Sequence, residues 1–233
     1  MNLFYASPSD IFGKSVTIHG QEAKHITRVL RLGEGDIIHI TDGTGTLFNC
    51  RIERVHKDRL TASIESSEKK ERKLPSVILC LGIIKKRDRL EFAIEKAVEL
   101  GADEFVLFSG DNSEREKVRL DRVQGVALSA MKQSKGMWLP EVKLASSLKE
   151  AVQQAGDDTT VITADEQLGD TINSTDIPDS RKYLLVVGPE GGFSAREREF
   201  LDSIQSIQYS LGERRLRAET AAMVIVDRFK QPS

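Results

Sequence analysis

Cysteine is scarce in this chain of 233 residues: only Cys50 and Cys80 occur, thirty positions apart. No Cys-x-x-Cys pair exists, so neither a disulfide framework nor a cysteine zinc site is expected. Both thiols read as small buried apolar residues. His19, His25, His39 and His56 are scattered and make no ligand set, so no metal is expected. Long apolar runs are missing as well, none approaching the roughly 20 residues that span a bilayer. The opening Met1-Asn2-Leu3-Phe4-Tyr5 lacks the basic segment and apolar core of a signal peptide. A cytoplasmic protein without a membrane partner is therefore expected. Charge of one sign is also lacking, since 34 Lys and Arg against 36 Asp and Glu leave a net −2. Residues 1–73 nevertheless carry +2 and the remainder −4, a slightly basic front compatible with a phosphate-facing surface. Hydrolase triads, redox motifs, internal repeats and low-complexity segments are absent.

What is present divides into two patterns. In the front part, Asp36 to Ile40, Leu47 to Ile52 and Arg59 to Glu65 alternate apolar and polar residues, as half-buried strands do. The turn Thr41-Asp42-Gly43-Thr44-Gly45 joins the first two. Gly20 to Leu32 reads as a helix with Ala23, Ile26, Val29 and Leu30 at helical spacing, which places Lys24, Arg28 and Arg31 on one polar face. These short elements predict a compact barrel or sandwich. Ser66 to Lys73 has no apolar side chain and reads as a linker, putting one domain at 1–70 and another at 71–233.

Beyond it, strand and helix alternate. Strands are predicted at Val77 to Ile84, Glu104 to Phe108, Thr159 to Ala164, Tyr183 to Val187 and Ser206 to Leu211. Helices are predicted at Arg89 to Leu100, Leu120 to Lys132, Ser194 to Ile204 and Ala218 to Lys230. Ser194 with Glu197 forms a capping-box signal. The fold class is α/β with a largely parallel sheet.

Two segments carry the chemistry. Val187-Gly188-Pro189-Glu190-Gly191-Gly192-Phe193-Ser194 puts three glycines between the end of a buried strand and a capped helix, where ligands bind in open α/β sheets. It is either a cofactor loop or a tight strand-to-helix turn. Its spacing is neither a dinucleotide fingerprint nor a P-loop. Leu211-Gly212-Glu213-Arg214-Arg215-Leu216-Arg217-Ala218-Glu219-Thr220 again joins a strand end to a helix start. Its cations are either a solvated cluster or groups that bind phosphate or stabilise an oxyanion. Ile83 to Arg89 is a basic stretch past a strand, either a solvated helix start or an RNA grip at Lys85. Trp138 is either a packing residue or a base-stacking platform.

The glycine segment followed by Leu211-Gly212-x-x-x-Leu216-Arg217-x-Glu219-Thr220-Ala221 resembles the RsmE family, bacterial enzymes that methylate N3 of a uridine in small-subunit (16S) ribosomal RNA. His25-x-x-Arg28-Val29-Leu30-Arg31, Lys96 to Gly101, and Lys132-Gln133-Ser134 with Pro140 extend the similarity over nearly the whole chain. The segment around Ser113-Glu114-Arg115 matches less well. The resemblance implies a small PUA-like β-barrel domain followed by a SPOUT-type methyltransferase domain with a deep trefoil knot. Nothing in the periodicity points to a knot, which chains generally avoid. It also implies a homodimer acting on 16S ribosomal RNA, within the small subunit, with S-adenosylmethionine as cofactor. Around that cofactor it places Val187, Gly188, Glu190, Gly191, Leu211, Gly212 and Leu216. Near the reacting centre it places Arg217, Glu219 and Glu190, with either carboxylate available to accept the N3 proton. RNA contacts are expected at Lys24, Arg28, Arg31, Lys85, Arg115 and Gln133. The alternatives are a SPOUT enzyme acting on another RNA position or a ribose 2′-hydroxyl, and a non-catalytic RNA-binding assembly factor.

Overall fold

The computed structural model describes residues 2–114, 117–165 and 177–230, so the expected RNA contact at Arg115 lies outside the described residues. The chain separates into two compact units, residues 1–72 with 131–139, and residues 73–130 with 140–233. The expected boundary after residue 70 did not include the return of residues 131–139 to the first unit.

The first unit contains β1 (Leu3–Tyr5), β2 (Ile11–Phe12), β3 (Ser15–His19), α1 (Gly20–Lys24), β4 (Ile37–Thr41), β5 (Thr46–Val55) and β6 (Arg59–Lys69). Its strands hydrogen-bond in the order β1-β4-β5-β6-β3-β2, antiparallel except for β1 with β4. Alternation puts Ile38, Ile40, Cys50, Ile52, Leu60 and Ala62 on one buried face. Burial there pushes the Cys50 thiol up to about 12, away from reactivity.

Two expectations for this unit need correction. The stretch from Ser66 is not wholly a linker, because β6 continues to Lys69 and Thr46 pairs with it. Pairing is a backbone property, so a strand end whose side chains face water needs no apolar residues. The helix Gly20 to Leu32 is also broken. After Lys24 the chain widens into a π-turn over His25–Val29, where the Thr27 hydroxyl donates to the Ala23 carbonyl at 2.9 Å and the Leu30 N–H bonds back to His25. Arg31 then takes φ +57°, ending the helical path. Lys24, Arg28 and Arg31 therefore do not share one helical face, and Val29 is 69% exposed rather than turned inward. Trp138 packs against Gly45, where an added Cβ would lie 2.2 Å from a ring carbon. Arg72 and Lys69 sit 4.8 and 5.4 Å from its ring centre, the geometry of a packing residue capped by cations.

The second unit alternates β7 (Ser76–Gly82), α2 (Arg87–Glu99), β8 (Glu104–Phe108), α3 (Leu120–Gln133, its last three residues belonging to the first unit), β9 (Glu141–Ala145), α4 (Leu148–Ala155), β10 (Thr160–Ala164), β11 (Lys182–Val187), α5 (Ala195–Ser203), β12 (Ile207–Gln208) and α6 (Ala218–Lys230). The strands run in the order β12-β10-β11-β7-β8-β9, with every pairing parallel. β7 and β11 are buried on both faces, which explains their unbroken apolar runs. The sequence reading missed β9 and α4, although Ser147 caps α4 by accepting the Glu150 N–H. The expected strand Ser206 to Leu211 shrinks to β12, and the rest is loop. The capping box of Ser194 and Glu197 is present at α5. No helix among the described residues is long and apolar enough to cross a membrane.

Candidate functional site

A cavity of about 750 Å³ opens beyond the carboxyl ends of β10, β11 and β12. Parallel strands direct their carboxyl ends, and the loops that follow them, to one edge of the sheet, so ligand sites gather there. Two walls face each other: residues 187–190 with 192–193, and residues 209–218. Of the expected cofactor residues, Val187, Gly188, Glu190, Leu211, Gly212 and Leu216 line the cavity, as does Arg217. Gly191 does not line it. An added Cβ there would lie 2.8 Å from both the Asn112 Cβ and its carbonyl oxygen, so the missing side chain makes room for a neighbouring loop.

That loop, residues 109–113, fastens the glycine wall. The Asn112 amide donates to the Gly191 and Gly192 carbonyls at 3.2 and 3.3 Å. Asp111 accepts the Ser194 hydroxyl at 2.7 Å and an Arg196 N–H at 2.6 Å. Those two donors hold the Asp111 carboxyl below its ordinary 3.8. Buried Glu197 accepts the backbone N–H groups of Asp111 at 3.1 Å and Ser194 at 2.8 Å. Gly82 lies close enough that a Cβ there would meet the Pro189 nitrogen at 2.4 Å.

The opposite wall is lightly bonded. The Gly212 N–H donates to the Ser210 hydroxyl at 3.2 Å, and Arg228 from α6 donates to the carbonyls of Ser210 at 2.8 Å and Leu211 at 3.4 Å. Arg214 and Arg217 are exposed, and among the described residues neither guanidinium has a hydrogen bond.

The two candidate carboxylates sit differently. Glu190 is exposed, lines the cavity, and accepts the Lys85 N–H at 3.1 Å. Glu219, in the first turn of α6, is buried and absent from the lining; its Oε1 is 3.6 Å from Arg89 Nε. Lys85 is exposed and paired with Glu114, whereas Gln133 and Arg28 are exposed in other parts of the chain. Sequence reasoning missed Asn112, Asp111 and Arg228 as parts of the site, and noticed Arg89 only as one of a basic stretch.

Fold and cavity together define the class: an α/β protein with a ligand-sized cavity at the carboxyl edge of a parallel sheet. Residues 70–230 match the family described as RNA methyltransferase domain, and residues 18–65 match RNA methyltransferase PUA domain. A ribosomal RNA small subunit methyltransferase E from Bacillus subtilis (strain 168) is 30% identical over 220 residues, covering 89% of this chain and 86% of that protein. A probable rRNA-methyltransferase from Porphyromonas gingivalis superposes with TM-score 0.86 at 31% identity, covering 97% of this chain and 95% of the other. A ribosomal RNA small subunit methyltransferase E from Neisseria gonorrhoeae, solved bound to S-adenosyl methionine, superposes with TM-score 0.83 at 27% identity over 97% and 95% of the two chains. The chain belongs to the ribosomal RNA small subunit methyltransferase E family.

Proposed function

We propose that this chain methylates N3 of a uridine in small-subunit (16S) ribosomal RNA, with S-adenosylmethionine as methyl donor. The observation that carries this is the two-walled cavity at the sheet's carboxyl edge, in a family whose Neisseria relative binds that donor.

The lining fits the donor. Its volume of about 750 Å³ lies within the usual range for small-molecule sites. Val187, Phe193, Leu211 and Leu216 offer apolar surface to an adenine ring, and Gly188 and Gly212 leave backbone groups uncovered by side chains. Val187, Gly188, Glu190, Leu211, Gly212 and Leu216 would hold the donor, and Gly191 serves by letting Asn112 close on the loop. When bound, the donor supplies an electrophilic methyl group on a sulfonium, which calls for no covalent enzyme intermediate. The remaining work is positioning and electrostatics. Uridine N3 must lose its proton, which spreads negative charge onto the uracil oxygens. Arg217 stabilises that charge, supported by its place in the cavity wall with no competing hydrogen bond. Glu190 accepts the proton, supported by its exposed carboxylate at the cavity. Glu219 orients its neighbours from behind the wall.

We also infer a deep trefoil knot in the second unit, a PUA-like barrel in the first, and a cytoplasmic homodimer. Exposed Arg28, Arg31, Lys85 and Gln133, together with Lys24 and Arg115, serve RNA backbone. Calorimetry with S-adenosylmethionine followed by a turnover assay on ribosomal RNA tests the function. Donor binding with methyl transfer is expected; donor binding without transfer would favour a non-catalytic assembly role.

A further inference from the structure

We infer that Arg89 is a second substrate-facing cation of this site and that Glu219 is the residue that positions it; the inference rests on the proposed methyl transfer to RNA. Arg89 lines the cavity from the first turn of α2 and is 30% exposed at its side chain. Its Nε lies 3.6 Å from Glu219 Oε1, too long for a hydrogen bond but close enough for an ion pair. Among the described residues its guanidinium makes no hydrogen bond. An arginine carries five N–H donors in a rigid fork, and one half-buried against a cavity with none engaged is an incomplete arrangement.

Glu219 accounts for a cation being held at this place. Its side chain is 10% exposed, and its Oε2 is buried without a hydrogen-bond partner. A buried carboxylate demands a nearby cation, because isolated charge is costly away from water. The carboxylate thus anchors Arg89 at the Nε edge and leaves its two Nη groups for a ligand. What those groups recognise is an anionic oxygen of the substrate. Arg217 lines the same cavity two residues before Glu219, so Arg89 from α2 and Arg217 from the arginine wall bring cations to one developing negative charge from two elements. The oxygen is either a uracil oxygen, charged as N3 is deprotonated, or a phosphate of the RNA. These sources differ in the kinetic step they affect.

The test compares wild type, Arg89→Gln, Arg89→Lys and Glu219→Gln. It measures S-adenosylmethionine Kd by calorimetry, single-turnover methylation at saturating RNA, RNA binding across a salt series, and thermal midpoints. For a uracil oxygen, Arg89→Gln is expected to leave the donor Kd within about twofold and to slow single turnover by about 100-fold, the scale of losing one oxyanion donor. For a phosphate, saturated turnover holds while RNA Kd rises and its salt slope flattens. Either pattern supports the inference. Arg89→Lys, which keeps charge but not the fork, is expected to recover part of the loss, and added guanidinium ion is expected to restore part of the Arg89→Gln activity. Glu219→Gln should mimic the Arg89 variants in the same kinetic step, which a merely structural defect would not do. Arg89→Gln and Arg89→Lys both matching folded wild type in turnover and RNA binding would overturn the inference alone, as would a loss confined to donor Kd. A wild type that transfers no methyl group to RNA would overturn the proposed function and this inference with it.

Discussion

The two walls of the cavity are built in opposite ways. The glycine wall is fastened from outside: Asn112 holds two of its carbonyls, Asp111 holds Ser194, and Glu197 ties Ser194 to the neighbouring loop. The arginine wall is held at its root by Arg228 and otherwise offers exposed side chains. A wall made of backbone must be fixed before a ligand arrives, because backbone donors and acceptors recognise only what reaches them in register. A wall made of long cations can meet its ligand part-way, at the cost of side-chain entropy. The proposed function accordingly draws donor recognition mainly from the first wall and charge stabilisation from the second.

The largest expected effect belongs to the arginine wall. Arg217→Ala should slow single-turnover methylation by about 100- to 1,000-fold while leaving the donor Kd nearly unchanged. Wild-type single turnover would remove Arg217 from the chemistry. Next comes the fastened wall. Gly191→Val should cost about 1–3 kcal/mol in stability by overpacking against Asn112, read as a lower denaturant midpoint, and should weaken donor binding. Pairing it with Asn112→Gly should return part of that loss, since one of the two clashing atoms is then gone; simple additivity would place the cost on the Asn112 carbonyl, which the double variant keeps.

A smaller effect is expected at the root of the arginine wall. Arg228→Ala removes the donors to the Ser210 and Leu211 carbonyls and should raise the donor Kd about three- to tenfold, with saturated turnover preserved. A turnover defect at saturating donor would show that Arg228 does more than hold the loop. The smallest effect is in acid. Ser194 and Arg196 lower the Asp111 carboxyl below 3.8, so its contribution is fully present above that ordinary value and is lost as pH falls through the lowered one. Near neutrality donor binding should therefore not vary with pH through Asp111, and Asp111→Asn should remove one component of its weakening in acid. An unchanged acid limb in that variant would show that the latch is not titrating.

What was legible in the sequence was local. The Ser194–Glu197 capping box depends on residues three apart, and the glycine segment sits at the end of a short apolar run that fits a buried strand. Local signals also misled: Ile26, Val29 and Leu30 keep helical spacing, but the Thr27 hydroxyl bonding to Ala23 accompanies a π-turn that no apolar period reveals. The polar run from Ser66 reads as a linker because backbone pairing leaves no trace in side-chain type. The latch was illegible for another reason. Asn112 meets Gly191 and Gly192 across 79 and 80 residues, and Arg228 meets Ser210 across 18, so no spacing rule connects them. The carboxylates show the same limit: Glu190 and Glu219 look equivalent in sequence, and only the fold separates a cavity-facing group from a buried one.

The most direct measurement of the central claim is methylation of small ribosomal subunits, and of their naked RNA, purified from a strain lacking the gene. Purified chain and S-adenosylmethionine would be added and the modified nucleotide mapped by mass spectrometry. The account predicts one new methyl group on N3 of a single uridine of small-subunit RNA, lost with Arg217→Ala. A methyl group on a ribose 2′-hydroxyl, on a different base, or on no RNA at all would contradict it.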